Sequence, residues 1–149
     1  KFAYRMMTTL NKSARDAMVK YDVHACTDVT GFGMMGHLLE MAQGSDVQIH
    51  VEVGGIDMIP EALEFARMGV LPAGMYRNRS FAEDEVELGS IALEKADLLF
   101  DPQTSGGLVI CVSPQDADSL FEELKGCVPS AQRIGTVSSY SGGKRIILE

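Results

Sequence analysis

Two short loops of this chain combine aspartate, hydroxyl and glycine residues in a pattern that suits phosphate chemistry. The first loop, residues 27–37, reads Thr-Asp-Val-Thr-Gly-Phe-Gly-Met-Met-Gly-His, and the second, residues 101–107, reads Asp-Pro-Gln-Thr-Ser-Gly-Gly. Carboxylate oxygens are typical ligands of Mg²⁺, and backbone amides that no side chain shields can bind anions. Together the two loops predict a site for a phosphate chain that carries a magnesium ion.

Asp28 is the predicted magnesium ligand of the first loop, because it follows an apolar, strand-like run and magnesium is usually held by one or two carboxylates. We expect Thr27 and Thr30 to add hydroxyl contacts to the nucleotide, and Gly31 to let its phosphates approach the backbone closely. A structural alternative stays open, since Asp28 or Thr30 could simply cap the helix that follows.

The second loop contributes two hydroxyl side chains and two glycine amides to the predicted phosphate site. These residues are Thr104, Ser105, Gly106 and Gly107. Consecutive glycine amides can form a concave nest that binds an anion. The alternative is a tight turn after Asp101-Pro102 that only reverses the chain. Asp101 could be a second metal ligand, but an aspartate before proline is more often a turn former.

No residue of the chain is predicted to be catalytic. We expect His37, on the helix after the first loop, to pack or to form hydrogen bonds rather than to transfer protons. Cys26 lies in an apolar run and is predicted to be a small buried hydrophobe rather than a nucleophile. The polar segment 77–79 could contact a phosphate or a partner domain, but it is interpreted as part of an exposed loop.

Composition excludes several classes of protein. The 149 residues and 46% apolar content predict one domain with its own core. A net charge of -8 argues against a nucleic-acid or anionic-membrane partner, which would need clustered Lys and Arg. Three cysteines without a Cys-x-x-Cys pair predict no disulfide framework or zinc site, and so a cytoplasmic location. We find no apolar run of membrane-spanning length and no leader peptide.

Hydrophobic periodicity predicts an α+β fold with a mixed sheet. The predicted helices cover residues 3–21, a stretch from Met34 that ends at Gly44, 60–68, 88–96, and a stretch capped by Ser113 that stops at Gly126. The predicted strands cover residues 23–26, 47–53, 98–100 and 108–112, the last buried on both faces, together with an antiparallel hairpin of 133–138 and 144–148. Residues 70–87 are predicted to form a long excursion that could become ordered only against a partner domain.

With both loops in view, the sequence resembles the C-terminal domain of selenophosphate synthetases (selenide, water dikinases), within the superfamily related to aminoimidazole ribonucleotide synthetase. The resemblance rests on residues 25–33, Ala-Cys-Thr-Asp-Val-Thr-Gly-Phe-Gly, continuing to Gly36-His37, and on residues 101–108, Asp-Pro-Gln-Thr-Ser-Gly-Gly-Leu. It covers nearly the whole chain. Met34 and Met35 stand where the family often has two leucines, which is a conservative change.

This resemblance implies a fold, a reaction and a metal ligand. The implied fold is a three-layer α/β/α domain with a mixed sheet that is partly ferredoxin-like. The implied reaction converts ATP, selenide and water into selenophosphate, AMP and inorganic phosphate. Asp28 matches the magnesium-ligating aspartate of the family's C-terminal domain, which acts together with aspartates of the N-terminal domain.

The resemblance also implies that residues 1–149 are a single C-terminal domain of a larger two-domain enzyme. In the family the reactive cysteine or selenocysteine, its nearby lysine and a glycine-rich segment lie near the N-terminus, and this sequence lacks them. ATP lies between the two domains, and the full-length protein is a homodimer. The chain opens at Lys1 on a helical pattern without an initiator Met, so we expect a fragment that does not turn over ATP unaided.

Two alternatives remain open at this point. One is another ATP-dependent member of the same superfamily, such as a thiamine phosphate kinase or the aminoimidazole ribonucleotide synthetase itself, although the motif at 101–108 argues against it. The other is a regulatory or interaction domain without enzymatic activity. An upstream Cys or selenocysteine with a lysine and metal-binding aspartates would favour the enzyme.

Overall fold

The computed structural model describes residues 2–149, in which one central helix contacts both of two β-sheets. The helices are α1 (Phe2–Thr8), α2 (Lys12–Met18), α3 (Gly33–Ser45), α4 (Pro60–Arg67), α5 (Ala73–Ala82), α6 (Leu93–Leu99) and α7 (Ala117–Cys127). The strands are β1 (Val23–Asp28), β2 (Val47–Val51), β3 (Val86–Glu87), β4 (Leu108–Val112), β5 (Gly135–Ser139) and β6 (Ile146–Leu148). Short 3-10 turns occupy Val53–Gly55 and Glu83–Glu85.

One sheet pairs β1 with β4 in antiparallel orientation, and the other has the strand order β3-β6-β2-β5. In the larger sheet β2 runs antiparallel to β5 but parallel to β6, so this sheet is mixed. The predicted α+β class, with helices layered on a mixed sheet, is confirmed. Among the described residues, every helix is too short or too polar to cross a membrane.

Helix α3 supplies the centre of the hydrophobic core and fixes the loop that precedes it. Met35, Leu38 and Leu39 are buried on this helix, and they pack in one cluster with Ile49 of β2 and Ile146 of β6. The alternation predicted for β2 is confirmed, because Ile49 and Val51 are buried while His50 between them is only partly covered. The first predicted loop therefore enters the best-packed element of the domain.

The predicted hairpin is wrong, because β5 and β6 do not pair with each other. Both strands flank β2, with Ile49 opposite Val137 of β5 on one side and opposite Ile146 of β6 on the other. The glycines of the connecting segment, Gly142 and Gly143, have positive φ angles of 104° and 82°. The glycine-rich turn sequence between β5 and β6 does not reveal that β2 lies between these two strands in the sheet.

The predicted helix over residues 3–21 is divided into α1 and α2. The hydroxyl groups of Thr8 and Thr9 donate to the carbonyls of Tyr4 and Arg5 at 3.0 and 2.8 Å. Such bonds compete with continuation of the helix, and they mark the point at which α1 ends. Asn11 then begins α2 without a side-chain capping bond.

The prediction for residues 70–87 is also wrong, because most of this segment forms α5, the following turn and β3. Met75 and Ala82 of α5 are completely buried in the domain's own core. The proposed strand at residues 98–100 is instead the end of α6, where Leu99 and Phe100 are buried. A three-residue apolar run does not distinguish a strand from the end of a helix.

Several element ends differ from their predicted positions. Helix α7 begins after Asp116 rather than Ser113, because the Asp116 amide donates to the Ser113 carbonyl in a turn. Gly44 lies inside α3, and the helix ends instead at Asp46, which has a φ of 52°. In β4 only Val109 is buried and the other four residues are partly covered, so the strand is not buried on both faces as predicted. The boundaries predicted for α4 hold to within one residue.

Candidate functional site

The structure brings the two sequence-predicted loops into direct contact. The amide of Val29 donates to the Gly107 carbonyl at 2.9 Å, and the Gly106 amide donates to the Val29 carbonyl at 2.9 Å. The Gln103 amide donates to the Thr30 carbonyl at 3.0 Å. These bonds continue the pairing of β1 with β4, in which Asp28 lies opposite Leu108. Loops that are 70 residues apart in sequence therefore form one surface.

Asn78 of α5 fastens the first loop to the end of α6, directly before the second loop. Its Nδ2 atom donates to the Gly31 carbonyl and to the Phe100 carbonyl, each at 2.9 Å. Because both partners are carbonyl oxygens, the nitrogen rather than the oxygen of the amide must face them. Sequence reasoning placed this residue in an exposed loop and missed its role.

We expect Asn78→Asp to destabilise the chain by about 2 kcal/mol, because a carboxylate cannot donate to either carbonyl and is repelled by both. Urea denaturation followed by circular dichroism would measure the change. Asn11→Asp is the matched control, since Asn11 makes no capping bond, and it should change stability by no more than about 0.5 kcal/mol. Equal unfolding midpoints for the two variants would show that the two hydrogen bonds of Asn78 do not stabilise the chain.

Asp28 ends β1 with an exposed side chain at the edge of a shallow, open cleft of about 620 Å³. The cleft is lined by Asn11, Lys12, Arg15, Met18, Cys26, Thr27, Asp28 and Leu108. Within residues 2–149, no protein donor satisfies the Asp28 carboxylate. Helix α3 has Phe32 at its N-cap position and no side-chain capping bond, so neither Asp28 nor Thr30 caps it. The capping alternative is excluded, and the Asp28 oxygens are available to a ligand.

Asp28 is the side chain of the cleft that could contribute a carboxylate to a magnesium site. Among the described residues, no group of three or more His, Cys, Asp or Glu side chains could hold a metal ion. Magnesium usually takes one or two protein carboxylates and fills its other positions with phosphate oxygens and water. The Asp28 carboxylate could therefore supply one of the protein ligands of such an ion. Asp101 is half-buried, and desolvation raises the pKa of its carboxyl group.

Thr30 is held by three hydrogen bonds beside Asp28. Its carbonyl accepts from the amides of Gly33 at 3.1 Å and Gln103 at 3.0 Å, and its hydroxyl lies 3.1 Å from Nε2 of His37. His37 is buried and also contacts Glu40, which agrees with the hydrogen-bonding role expected for it. Thr27 is half-buried and lines the same cleft as Asp28.

Some polar groups of the second loop are used in contacts within the protein, and others are available to bind a ligand. A side chain at Gly106 would place its Cβ 2.4 Å from Oε1 of Gln103 and 2.8 Å from Cβ of Val29, and the Gly106 amide is already used. Gly106 is therefore needed for the contact between the loops. This is a structural role, in agreement with the alternative that the second loop is a tight turn. Within the described part of the chain, the amides of Thr104, Ser105 and Gly107 have no protein acceptor. Thr104 is exposed, and the Ser105 hydroxyl lies 3.5 Å from the Thr9 carbonyl.

Cys26 is exposed and lines the cleft, so the prediction that it is buried is wrong. Desolvation by the surrounding protein nevertheless raises the pKa of its thiol, with further contributions from Cys111 and Asp28. A raised pKa keeps the thiol protonated near neutral pH, and the thiolate is the reactive form. This supports the expectation that Cys26 is not a nucleophile.

Lys12 and Arg15 of α2 also line the cleft, and sequence reasoning missed them. Both side chains pair with Asp16, and they remain largely exposed. Their three-residue spacing places them on one face of a helix, but the sequence does not show which surface that face meets.

Comparison with known proteins assigns the chain to a family. The sequence model of the family described as "AIR synthase related protein, C-terminal domain" matches residues 3–147. The chain belongs to this family. The match spans both loops, α3 and all strands of the two sheets except the last residue of β6.

Proteins with similar sequences include several that are named selenide, water dikinase. The protein from Treponema denticola is 49% identical over 81% of this chain and 34% of its own length. The protein from Clostridium botulinum is 40% identical over 97% of this chain and 42% of its own length. The resemblance recognised in the two loops is thereby confirmed. The chain spans well under half the length of these relatives.

A solved structure with some likeness is that of thiamine-monophosphate kinase from Stenotrophomonas maltophilia. It aligns with 86% of this chain and 32% of its own, at 15% identity and a TM-score of 0.48.

Proposed function

We propose that this chain is the C-terminal domain of a selenide, water dikinase, which makes selenophosphate, AMP and inorganic phosphate from ATP, selenide and water. The two relatives of this name described above match 81% and 97% of the chain at 49% and 40% identity. The observation that carries the proposal is the unpaired Asp28 carboxylate, exposed on the cleft beside the two joined loops.

The chain's own contribution to this reaction is positioning. Asp28 would hold magnesium, which when bound neutralises charge on the phosphate chain. The free amides of Thr104, Ser105 and Gly107 would donate to phosphate oxygens, and Gly31 would allow close approach, since no protein atom lies within 4 Å of the Cβ position there. Donors that are fixed before the ligand binds need no reorganisation when charge develops, which is the physical basis of such stabilisation.

The remaining parts of the site are assigned to a preceding domain of the same protein. One carboxylate does not complete a magnesium site, and the chain covers 34% of the Treponema relative and 42% of the Clostridium relative. We propose that ATP and selenide bind between the two domains, that the complete protein is a cytoplasmic homodimer, and that it needs neither nucleic acid nor a membrane. The 149 residues alone are then inactive.

The test is product analysis with the complete gene product that contains these residues. With ATP, Mg²⁺ and selenide, ³¹P NMR should show selenophosphate, AMP and phosphate formed together. Omitting selenide should remove the selenophosphate signal, and the 149-residue chain alone should form none of the three products. ADP as the nucleotide product, or phosphorylation of another acceptor, would instead indicate a different kinase of the superfamily.

A further inference from the structure

Two cationic side chains, Lys12 and Arg15, line the same cleft as Asp28. They lie three residues apart on α2, a spacing that places both on one face of the helix. The whole chain has 13 basic and 21 acidic residues, yet the residues that line the cleft include two cations and one carboxylate. The balance of charge is therefore reversed on this surface, which favours an anionic ligand.

A single carboxylate, that of Asp16, holds both cations without neutralising both. Nζ of Lys12 donates to Oδ2 of Asp16 at 2.5 Å, and Nη1 of Arg15 donates to Oδ1 at 2.9 Å. The hydrogen bond from Lys12 lowers the pKa of the Asp16 carboxyl group, so Asp16 is ionised at neutral pH and cancels one of the two positive charges. Ammonium and guanidinium groups have further N–H donors, and exposed ion pairs of this kind cost little to open. The two side chains therefore keep a positive charge and free donors for a ligand.

Helix α2 is anchored to the body of the domain, so the two cations extend from a fixed backbone. Ala17 is buried on the side of the helix that packs inward. At the end of the helix, Lys20 and Tyr21 both bond to Glu123 of α7, and the tyrosine hydroxyl donates to Oε2 at 2.8 Å. The face that carries the cations cannot move away from the cleft without breaking these contacts.

The other two parts of the candidate site meet α2 at the same place. Just before the helix, the Thr9 carbonyl lies 3.5 Å from Oγ of Ser105 in the second loop. Leu108, which directly follows this loop, lines the cleft and pairs with Asp28 across the two strands. The cations, the second loop and the predicted metal ligand therefore surround one cleft.

We propose that Lys12 and Arg15 bind the phosphate oxygens of a ligand whose magnesium ion is held by Asp28. The N–H groups of an arginine match two oxygens of one phosphate, and a lysine adds a point charge. A phosphate that carries a metal ion suits both ends of the cleft, because it offers a cation to Asp28 and anionic oxygens to α2. The phosphate chain of a nucleotide and free inorganic phosphate share this chemistry. The inference rests on the proposed function, which takes Asp28 to hold magnesium.

The first test measures binding rather than activity, with the ¹⁵N-labelled 149-residue chain. The chain is titrated with pyrophosphate and with inorganic phosphate, each with and without Mg²⁺, at constant ionic strength. We expect the amide signals of α2 and of the end of β1 to shift, and the affinity to rise when Mg²⁺ is added. Tighter binding of pyrophosphate would identify the nucleotide's phosphate chain as the ligand, and equal binding would identify free phosphate. Unchanged signals of α2 in every titration would overturn the proposal.

Substitutions separate the cations from the metal ligand. Lys12→Met and Arg15→Met should each weaken pyrophosphate binding by about tenfold, the effect of losing one hydrogen bond to a charged group. Both losses should persist without Mg²⁺, because the cations contact the phosphate directly. Asp28→Asn should instead remove only the increase in affinity that Mg²⁺ produces. Arg15→Lys, which keeps the charge, should lose less affinity than Arg15→Met.

Lys125→Met is the matched control for the loss of one positive charge. Lys125 is also an exposed helical lysine that pairs with an acidic residue, Glu122, but it does not line the cleft. This variant should bind pyrophosphate as wild type does. An equal loss of affinity in Lys125→Met and Lys12→Met would overturn the proposal, because overall charge rather than a site would then attract the anion.

The complete gene product provides a separate measurement. Arg15→Met should raise the Michaelis constant for ATP if the nucleotide is the ligand, or weaken inhibition by inorganic phosphate if free phosphate is the ligand. Wild-type values of both constants would overturn the proposal. Wild-type protein that forms no selenophosphate would contradict the proposed function instead, while the titrations of the chain would still decide whether α2 binds phosphate.

Discussion

Replacing Asp28 by asparagine is expected to abolish selenophosphate formation by the complete protein while leaving its stability within about 1 kcal/mol of wild type. The amide has the shape of the carboxylate but no negative charge, so it binds magnesium far more weakly. Changing even the outer partners of a metal ligand commonly costs about 10- to 100-fold in affinity or activity, and loss of the ligand's own charge should exceed that. Stability should hold because the side chain is exposed on the cleft.

The measurement is the selenide-dependent rate of AMP formation over a range of magnesium concentrations. Asp57→Asn is the matched control, because Asp57 is also exposed but does not line the cleft. It carries the same change of charge and should keep the wild-type rate. A normal rate for Asp28→Asn at limiting magnesium would remove Asp28 from the metal site. Loss of rate in both variants would point to overall charge rather than to a ligand.

The sequence identifies the two loops as the candidate site because its signals are local. Glycines that must take unusual backbone angles or allow close approach, and a carboxylate at the end of a strand, are visible within a few residues. The periodicity of β2 and the proline that opens α4 are equally local, and both elements begin where predicted, although β2 ends at Val51 rather than at residue 53. The contact between the two loops is what the structure adds.

The errors arise where the deciding interaction is distant in sequence. Strands β5 and β6 look like a hairpin until β2 takes the position between them. Asn78 looks like part of a surface loop because its two acceptors, Gly31 and Phe100, are 47 and 22 residues away. The pattern around α5 is weakly amphipathic, and the helix is recognised only through the burial of Met75 and Ala82. Tertiary contacts overrule local preference at such positions.

Gly33→Ala should produce the largest loss of stability among the substitutions considered, about 3 kcal/mol. Gly33 has a φ of 69°, and an L-residue in this left-handed region costs roughly 1–2 kcal/mol. The added Cβ would also lie 2.6 Å from the backbone carbon and oxygen of Phe100. Backbone atoms cannot rotate away as a side chain can, so the overlap must shift the loop, at a cost of about 1–3 kcal/mol.

Gly31→Ala is the matched control from the same loop. Gly31 does not have a positive φ, and no atom lies within 4 Å of the Cβ that alanine would add, so the change in stability should stay within about 0.5 kcal/mol. In urea denaturation of the 149-residue chain, Gly33→Ala alone should therefore lower the unfolding midpoint. The dependence of the unfolding free energy on urea concentration should not change. Similar midpoints for the two variants would mean that the loops are not packed as described.

The same pair of variants separates the two roles that glycine has in the first loop. Gly33 is required because the backbone of the second loop is already in contact with it, so its replacement should impair folding first and activity only as a consequence. Gly31 faces open space, and a methyl group there would meet nothing except a bound ligand. A Gly31→Ala protein that is fully stable but has a raised Michaelis constant for ATP would place the phosphate chain against this backbone, and an unchanged constant would exclude that position.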